Sequence, residues 1–219
     1  MTGDAAHHLG RVLRAEPEQL YELSDGKVAW LGRIESVSRD RVEFSLVKPI
    51  AGRESALETT LLLAVVKFDS FEWALEKATE LGVRAIVPLA AGRSEKALLN
   101  AAEKRAERWT KILLEAAQQS RRVSLPELKP LEKPVNAFHS TEGFKIMLSE
   151  KAEARPLKEI VPQEAQRAVL AIGPEGGWTD EEFSIAAGAG FRQASLGQLI
   201  LRTETAVVSA LSNLNYALG

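Results

Sequence analysis

The chain has 219 residues, 45% of them hydrophobic and 26% charged, with a formal net charge of −2. That composition supports one or two folded domains and excludes both a disordered chain and a protein held on nucleic acid by bulk charge. It contains no cysteine and only three histidines (His7, His8 and His139), which excludes disulfides and the usual zinc constellations, so no metal is expected.

Residues 1–47 read as β-rich after a short polar start. Met1–Arg14 has no apolar signal core, and no run approaches the roughly 18 apolar residues that span a bilayer, so a reducing cytoplasm and no membrane are expected. Val28–Val37 alternates loosely, with Val28, Trp30 and Ile34 on one face. Arg41–Val47 alternates with Val42, Phe44 and Leu46 inward. Ser24-Asp25-Gly26-Lys27 is a turn signal. The pattern predicts a small antiparallel barrel or sheet, closed by a linker at Lys48–Gly52.

From about residue 57 the rhythm changes. Leu61–Val66 is a continuous apolar run, as expected of a strand buried on both faces. Asp69 and Glu72 have capping-box spacing ahead of a helix with Phe71, Ala74, Leu75, Ala78 and Leu81 inward, and Gly82 suits its end. Trp73 is placed on the core face of this helix, and Trp109 on that of a second helix over Glu103–Gln119. Val83–Leu89, Phe144–Leu148, Ala168–Ile172 and Ala194–Leu196 read as strands. Thr179 with Glu182 caps a helix, and Thr203–Leu218 is a final amphipathic one. This alternation predicts an α/β domain over residues 53–219 with a mainly parallel sheet, preceded by the β-domain over residues 1–52. Local basic groups punctuate the chain: Arg11 with Arg14, Arg121 with Arg122, and Lys104, Arg105, Arg108 and Lys111 on one helix, the last read as a solvated face.

Two segments carry candidate chemistry. Ile172-Gly173-Pro174-Glu175-Gly176-Gly177-Trp178 lies between a strand and a capped helix. Its glycines either allow backbone to approach a ligand or make a tight strand-to-helix turn, and spacing alone does not decide. It matches neither the dinucleotide fingerprint nor a P-loop. Trp178 either covers a ligand or packs beneath the helix. In the second segment, Leu196–Ala206, a strand runs through a mostly apolar loop into a helix. Thr203 suits the cap, and Glu204 is favourable near the positive helix end. Arg202 is not, so an anionic partner is expected there.

These two segments, in this order and separation, resemble the signatures of the bacterial 16S rRNA uracil-N3-methyltransferases of the SPOUT class. His7–Arg14 resembles that family's N-terminal RNA-binding motif, Lys77–Val83 its first α/β helix, and Arg93-Ser94 with Arg108-Trp109 and Glu115–Ser120 its middle. The resemblance covers nearly the whole chain. It implies a PUA-like barrel followed by an α/β domain with a deep trefoil knot, a homodimer formed through the knot region, and S-adenosylmethionine as cofactor. The knot departs from the usual rule against threaded connections and is not readable from periodicity. Carried onto this chain, the cofactor site comprises Leu148, Ile172, Gly173, Gly177, Leu196, Gly197, Ile200 and Leu201. Met1–Asp4 departs from the family's Arg- and Phe-rich first strand, and Gln198-Leu199 stands where Pro-Arg is usual, which removes one positive charge.

The implied reaction is methylation of uracil N3 in 16S rRNA of the small ribosomal subunit. Neutral N3 is a poor nucleophile, so its proton must leave and the ring oxygens must be stabilised. Arg202 is the candidate for stabilisation, and Glu204, with Glu175, for the proton. Arg11 and Arg14 are candidates for RNA phosphate contacts. Two rivals stand against this reading. A non-catalytic RNA-binding module does not require the glycines, which are present. A nucleotide-dependent small-molecule enzyme requires a fingerprint, which is absent.

Overall fold

The structure is a computed structural model that describes residues 1–52 and 55–219. Residue 53, the expected start of the α/β domain, lies outside the described residues. Contacts within the chain separate two compact units: Met1–Glu54 with Arg122–Ser124, and Ser55–Arg121 with Leu125–Gly219. Among the described residues no helix is long and apolar enough to cross a membrane.

The first unit opens with α1 (Gly3–His7), which runs into one π-helical stretch, His8–Val12. Three strands follow, β1 (Leu20–Ser24), β2 (Ala29–Val37) and β3 (Val42–Ile50), in an antiparallel sheet of order β1-β2-β3. The β1–β2 turn falls on the expected residues. Asp25 Oδ1 accepts from the backbone N–H groups of Lys27 and Val28 at 2.9 and 2.8 Å, and these bonds hold its carboxyl below the usual range. The expected inward face of β2 does not hold. Ile34 is buried, but Trp30 is half-buried and Val28 exposed, while Ala29 and Gly32 point inward. Register shifts at Leu31/Gly32 and Ile34/Ser36 swap the faces along the strand. On β3, Val42 is buried but Leu46 is exposed, beyond the first of those shifts. Within Met1–Asp4, the segment that departs from the family's first strand, Thr2 bridges antiparallel to Arg41, and Met1 and Val42 exchange two backbone hydrogen bonds.

The second unit holds, in chain order, β4 (Glu58–Ala64), α2 (Phe68–Glu80), β5 (Ala85–Leu89), α3 (Lys96–Ala102), α4 (Ala106–Gln119), β6 (Glu127–Leu128), α5 (Pro134–His139), β7 (Phe144–Leu148), β8 (Arg155–Pro156), α6 (Leu157–Ile160), β9 (Arg167–Ile172), α7 (Asp180–Gly188), β10 (Arg192–Ser195) and α8 (Thr203–Leu218). Among the described residues its sheet has the order β6-β5-β4-β9-β7-β10-β8, with every pairing parallel. Alternate residues of one strand face opposite layers. Leu61 and Leu63 pack with Phe71, Trp109, Val207 and Leu211, from α2, α4 and α8. Leu62 and Ala64 pack with Phe138, Trp178 and Phe183 on the other side. Two covered faces explain why the β4 run is apolar without alternation. From β4 the chain crosses to β5 on one side of the β4–β9 seam, whereas from β9 it crosses to β10 on the other. That seam is a switch point, where α/β sheets open a crevice at the carboxyl ends of their strands.

Two expectations for α2 fail. Lys67, not Asp69, is its N-cap residue, and Glu72 turns into the protein to pair with Arg105 and Arg108 at 3.4 and 2.8 Å. The helix begins at Phe68, so Glu72 lies a full turn inside it and cannot close a capping box. Two of the helix-face arginines therefore serve a buried carboxylate rather than a purely solvated face. Trp73 is 42% exposed whereas Trp109 is buried. Two residues from Phe71 is about 200° around a helix, so Trp73 points away from the core side.

Candidate active site

Three loops follow the carboxyl ends of β7, β9 and β10, and side chains far apart in sequence tie them together. The indole Nε1 of Trp178 donates to the carbonyl of Leu148 at 3.1 Å, joining the β9 loop to the end of β7. Thr203 Oγ1 donates to the carbonyl of Gly173 at 3.1 Å, joining the start of α8 to the β9 loop. The backbone N–H of Ser149 donates to Ala194 O at 2.9 Å, joining the end of β7 to β10. Trp178 is 2% exposed and packs edge-on against Phe138, so it lies beneath the loop as a support.

The β9 loop turns tightly. Gly177 donates to Pro174 O at 2.8 Å and sits at φ +70°, a left-handed conformation that favours glycine. Immediately afterwards α7 starts with the expected capping box: Thr179 Oγ1 accepts from Glu182 N at 3.1 Å, and Glu182 Oε2 accepts from Thr179 N at 2.7 Å. The second oxygen of this buried carboxylate accepts from Gly92 N at 2.8 Å, which fixes the loop after β5 beside the glycine loop. Arg93 completes that link by donating from Nη1 to Gly176 O at 2.7 Å. Lys151 donates to Asp180 at 2.8 Å and holds that carboxyl below the usual range.

The residues singled out in the sequence fall as follows. Leu148 and Ile172 end β7 and β9, and Gly173 begins the glycine loop. A Cβ on Gly173 would meet the Trp178 indole at 3.0 to 3.2 Å, so a side chain there requires the buried indole to give way. Leu196 is half-buried against the main core, whereas Ile200 is 85% exposed and Leu201 is also exposed. Gly197 has φ +146°, and a Cβ there would meet nothing within 4 Å, so its reason to be glycine is conformational and the space beside it is open. Arg202, not Thr203, is the N-cap residue of α8. Its carbonyl accepts from Ala206 N at 2.8 Å, while its exposed guanidinium has no partner among the described residues. Glu204 is half-buried in the first turn of α8, and Glu175 is exposed on the glycine loop. Arg11 and Arg14 belong to the first unit, both exposed, with Arg14 at φ +50°. Sequence reasoning missed the two links made by Trp178 and Thr203, the second bond of Glu182, and Arg93's anchor. Their partners are 30 to 90 residues away, and no local pattern marks them.

Beside the glycine loop a cavity of about 310 Å³ opens at the β4–β9 seam, walled by Lys67, Arg93, Ser94, Leu98, Pro174 and Glu175 among others.

A glycine loop, an unpaired cation and a small cavity with mixed polar and apolar walls lie at the carboxyl end of one parallel sheet, and these features suit group transfer to a nucleotide. The families agree with that chemistry: a family described as an RNA methyltransferase domain matches residues 53–215, and one described as an RNA methyltransferase PUA domain matches residues 1–47. The chain is therefore a member of the RNA methyltransferase class. Ribosomal RNA small subunit methyltransferase E of a Synechocystis species is 33% identical over 98% of this chain and 72% of its own length. The protein of the same name from Bacillus subtilis is 31% identical over 99% and 89%. The crystal structure of the Neisseria gonorrhoeae ribosomal RNA small subunit methyltransferase E, bound to S-adenosyl methionine, superposes with a TM-score of 0.92 at 32% identity, covering 100% of this chain and 91% of that one. The chain belongs to the ribosomal RNA small subunit methyltransferase E family.

Proposed function

We propose that this chain transfers the methyl group of S-adenosylmethionine to N3 of a uridine in 16S rRNA. The observation that carries the proposal is the convergence of three cross-tied loops at the ends of β7, β9 and β10, with open space beside a glycine of positive φ. The residues present suit the cofactor. Gly197 leaves room for close approach to backbone, and Leu196, Ile200 and Leu201 offer apolar contact for an adenine ring. Leu148, Ile172, Gly173 and Gly177 form the remaining wall. When bound, the cofactor supplies an electrophilic methyl group on a sulfonium.

The chain's own groups supply positioning and charge, the dominant needs of methyl transfer. Arg202 is a cation at the positive end of α8, and its exposed guanidinium has no ion pair among the described residues. An anion arriving there, such as a uracil losing its N3 proton, is stabilised by it. Glu204 and Glu175 are the carboxylates offered for that proton. The reading extends to a PUA-like RNA-binding barrel over residues 1–52 using Arg11 and Arg14, and a trefoil-knotted domain over residues 53–219. The protein pairs as a homodimer through the knot region, a reading supported by the strongly exposed Leu199 and Tyr216, which offer apolar surface for a contact. Its substrate is 16S rRNA or the assembled small subunit, which places it in the cytoplasm.

The test is transfer of labelled methyl from S-adenosylmethionine to small subunits from cells lacking the modification, followed by nucleoside chromatography. Label at 3-methyluridine is expected. Label in another nucleoside, or none, refutes the proposal.

A further inference from the structure

We infer that the cavity at the β4–β9 seam receives the target nucleotide of the RNA, with Lys67 holding its phosphate; this rests on the methyl-transfer reading given above. The argument begins with topology. The cavity lies where the connections from β4 and β9 diverge, and its walls come from both: Val65, Val66 and Lys67 after β4, and Pro174, Glu175 and Gly176 after β9. A switch point is where an α/β sheet has room for a ligand at the carboxyl ends of its strands.

The glycine loop is shared by two sites. Its Gly173 and Trp178 are tied to the β7 and α8 loops assigned to the cofactor, while its Glu175 and Gly176 wall the cavity. Methyl transfer needs donor and acceptor in contact, so the acceptor must sit against the loop that holds the donor. The seam cavity satisfies that condition.

Its chemistry suits a nucleotide. Lys67 is exposed, and its ammonium has no partner among the described residues, so it is available to a phosphate. Arg93 is held in place through its bond to Gly176 O. Ser94 spends its hydroxyl proton on Val65 O at 2.7 Å, which leaves its lone pairs as acceptors, and Glu95 and Glu175 add carboxylates. The cations suit a phosphate and the acceptors suit ribose hydroxyls, which leaves the uracil N3 edge to face the cofactor loops and Arg202. Val66, Leu98 and Pro174 provide apolar wall for the ring faces. At about 310 Å³ the cavity is at the small end of ligand sites, of order 300–1,000 Å³, which fits one extruded nucleotide rather than a strand.

The experiment compares wild type with Lys67→Ala, Lys67→Glu and Lys67→Arg in the full chain. Calorimetry without RNA measures S-adenosylmethionine affinity. Single-turnover methylation against RNA concentration, repeated over a salt series, measures RNA engagement. Cofactor affinity is expected within about twofold of wild type for all three. Apparent RNA affinity should fall about tenfold in Lys67→Ala, the loss of one charge-assisted contact, and further in Lys67→Glu. It should recover in Lys67→Arg, and the salt slope should drop by about one in the alanine variant. Leu98→Trp narrows the cavity and leaves the charges in place. It should slow transfer at saturating RNA and keep the wild-type salt slope. Unchanged RNA affinity and slope in Lys67→Glu, with wild type active, overturn the inference alone. So does a loss of cofactor affinity in the Lys67 variants, which would assign the cation to the cofactor's carboxylate. A wild-type protein that neither binds S-adenosylmethionine nor methylates the RNA overturns the functional reading and this inference together.

Discussion

Replacing Gly173 by alanine tests whether the glycine loop is shaped by the protein as well as by its ligand. The added Cβ would lie 3.0 Å from Cε2 and 3.1 Å from Nε1 of Trp178, against an ordinary carbon contact of roughly 3.5–4.0 Å. The indole must retreat by about half an ångström, but it is buried, edge-packed on Phe138 and bonded to Leu148 O at 3.1 Å. Retreat therefore strains the core or breaks that bond. Overpacking of this kind costs about 1–3 kcal/mol, and the broken bond is worth about 1 kcal/mol of it. The φ of Gly173 is not positive, so no backbone penalty is added. In a Trp178→Leu background the obstruction is gone. The same substitution should then cost less than about 0.5 kcal/mol, helped by the lower chain entropy of alanine in the unfolded state. The assay is urea unfolding by circular dichroism for wild type, both single variants and the double, with calorimetry for S-adenosylmethionine on each. A coupling of about 1–3 kcal/mol is expected, together with weaker cofactor binding by Gly173→Ala as the β7 end loosens. Additive costs within about 0.5 kcal/mol refute the steric argument.

The remaining predictions address the candidate site directly. Arg202→Ala should slow single-turnover methylation at saturating RNA by about a hundredfold, as for a lost oxyanion donor, with little change in cofactor affinity; equal rates would make it a structural residue. Lysine at 202 should rescue only in part, because the planar fork is lost. Gly197→Val should weaken S-adenosylmethionine binding, because a β-branched residue strains a loop held at φ +146° and its side chain fills the open space beside the backbone; circular dichroism checks that the exposed loop absorbs the strain without loss of the fold. Unchanged affinity in a folded variant counts against a cofactor role for that loop. Removing Arg11 and Arg14 together should weaken RNA binding and lower its salt slope by about two, and a slope equal to wild type would exclude direct phosphate contacts.

Much of the second unit was legible because its signals are local. Phe144–Leu148 and Thr203–Leu218 coincide with β7 and α8, and the Thr179–Glu182 capping box is made as its spacing implies. Burial on both faces wrote itself into the unbroken apolar run of β4. The misses arise where geometry is set at a distance. The faces of β2 depend on two register shifts against β3, which a period-two reading cannot contain. Glu72 has the spacing of a cap residue, but its fate was decided by Arg105 and Arg108 more than 30 residues away. Strand order is equally silent: β9 inserts between β4 and β7, and nothing in its own residues records its neighbours.

The site follows the same division, and it separates reasons that a sequence motif merges. Three glycines looked alike as places where backbone meets cofactor. Gly173 is required by the Trp178 ring, and Gly177 by a left-handed turn with the Glu150 carboxylate against it. Gly197 also has positive φ, yet the direction of its missing side chain is empty. A ligand-facing glycine needs that combination, backbone freedom beside unfilled space, although turn glycines such as Gly3, Gly26 and Gly190 share it, whereas a fold-keeping glycine shows protein already occupying the place. Under the proposed function the β10 loop faces the ligand, while the β9 loop holds the shape of the floor. Trp178 and Thr203 transmit that shape to the other two loops through one hydrogen bond each. Damage to the floor should therefore appear first as lost stability and then as lost affinity, and damage at Gly197 as lost affinity in a protein that still folds.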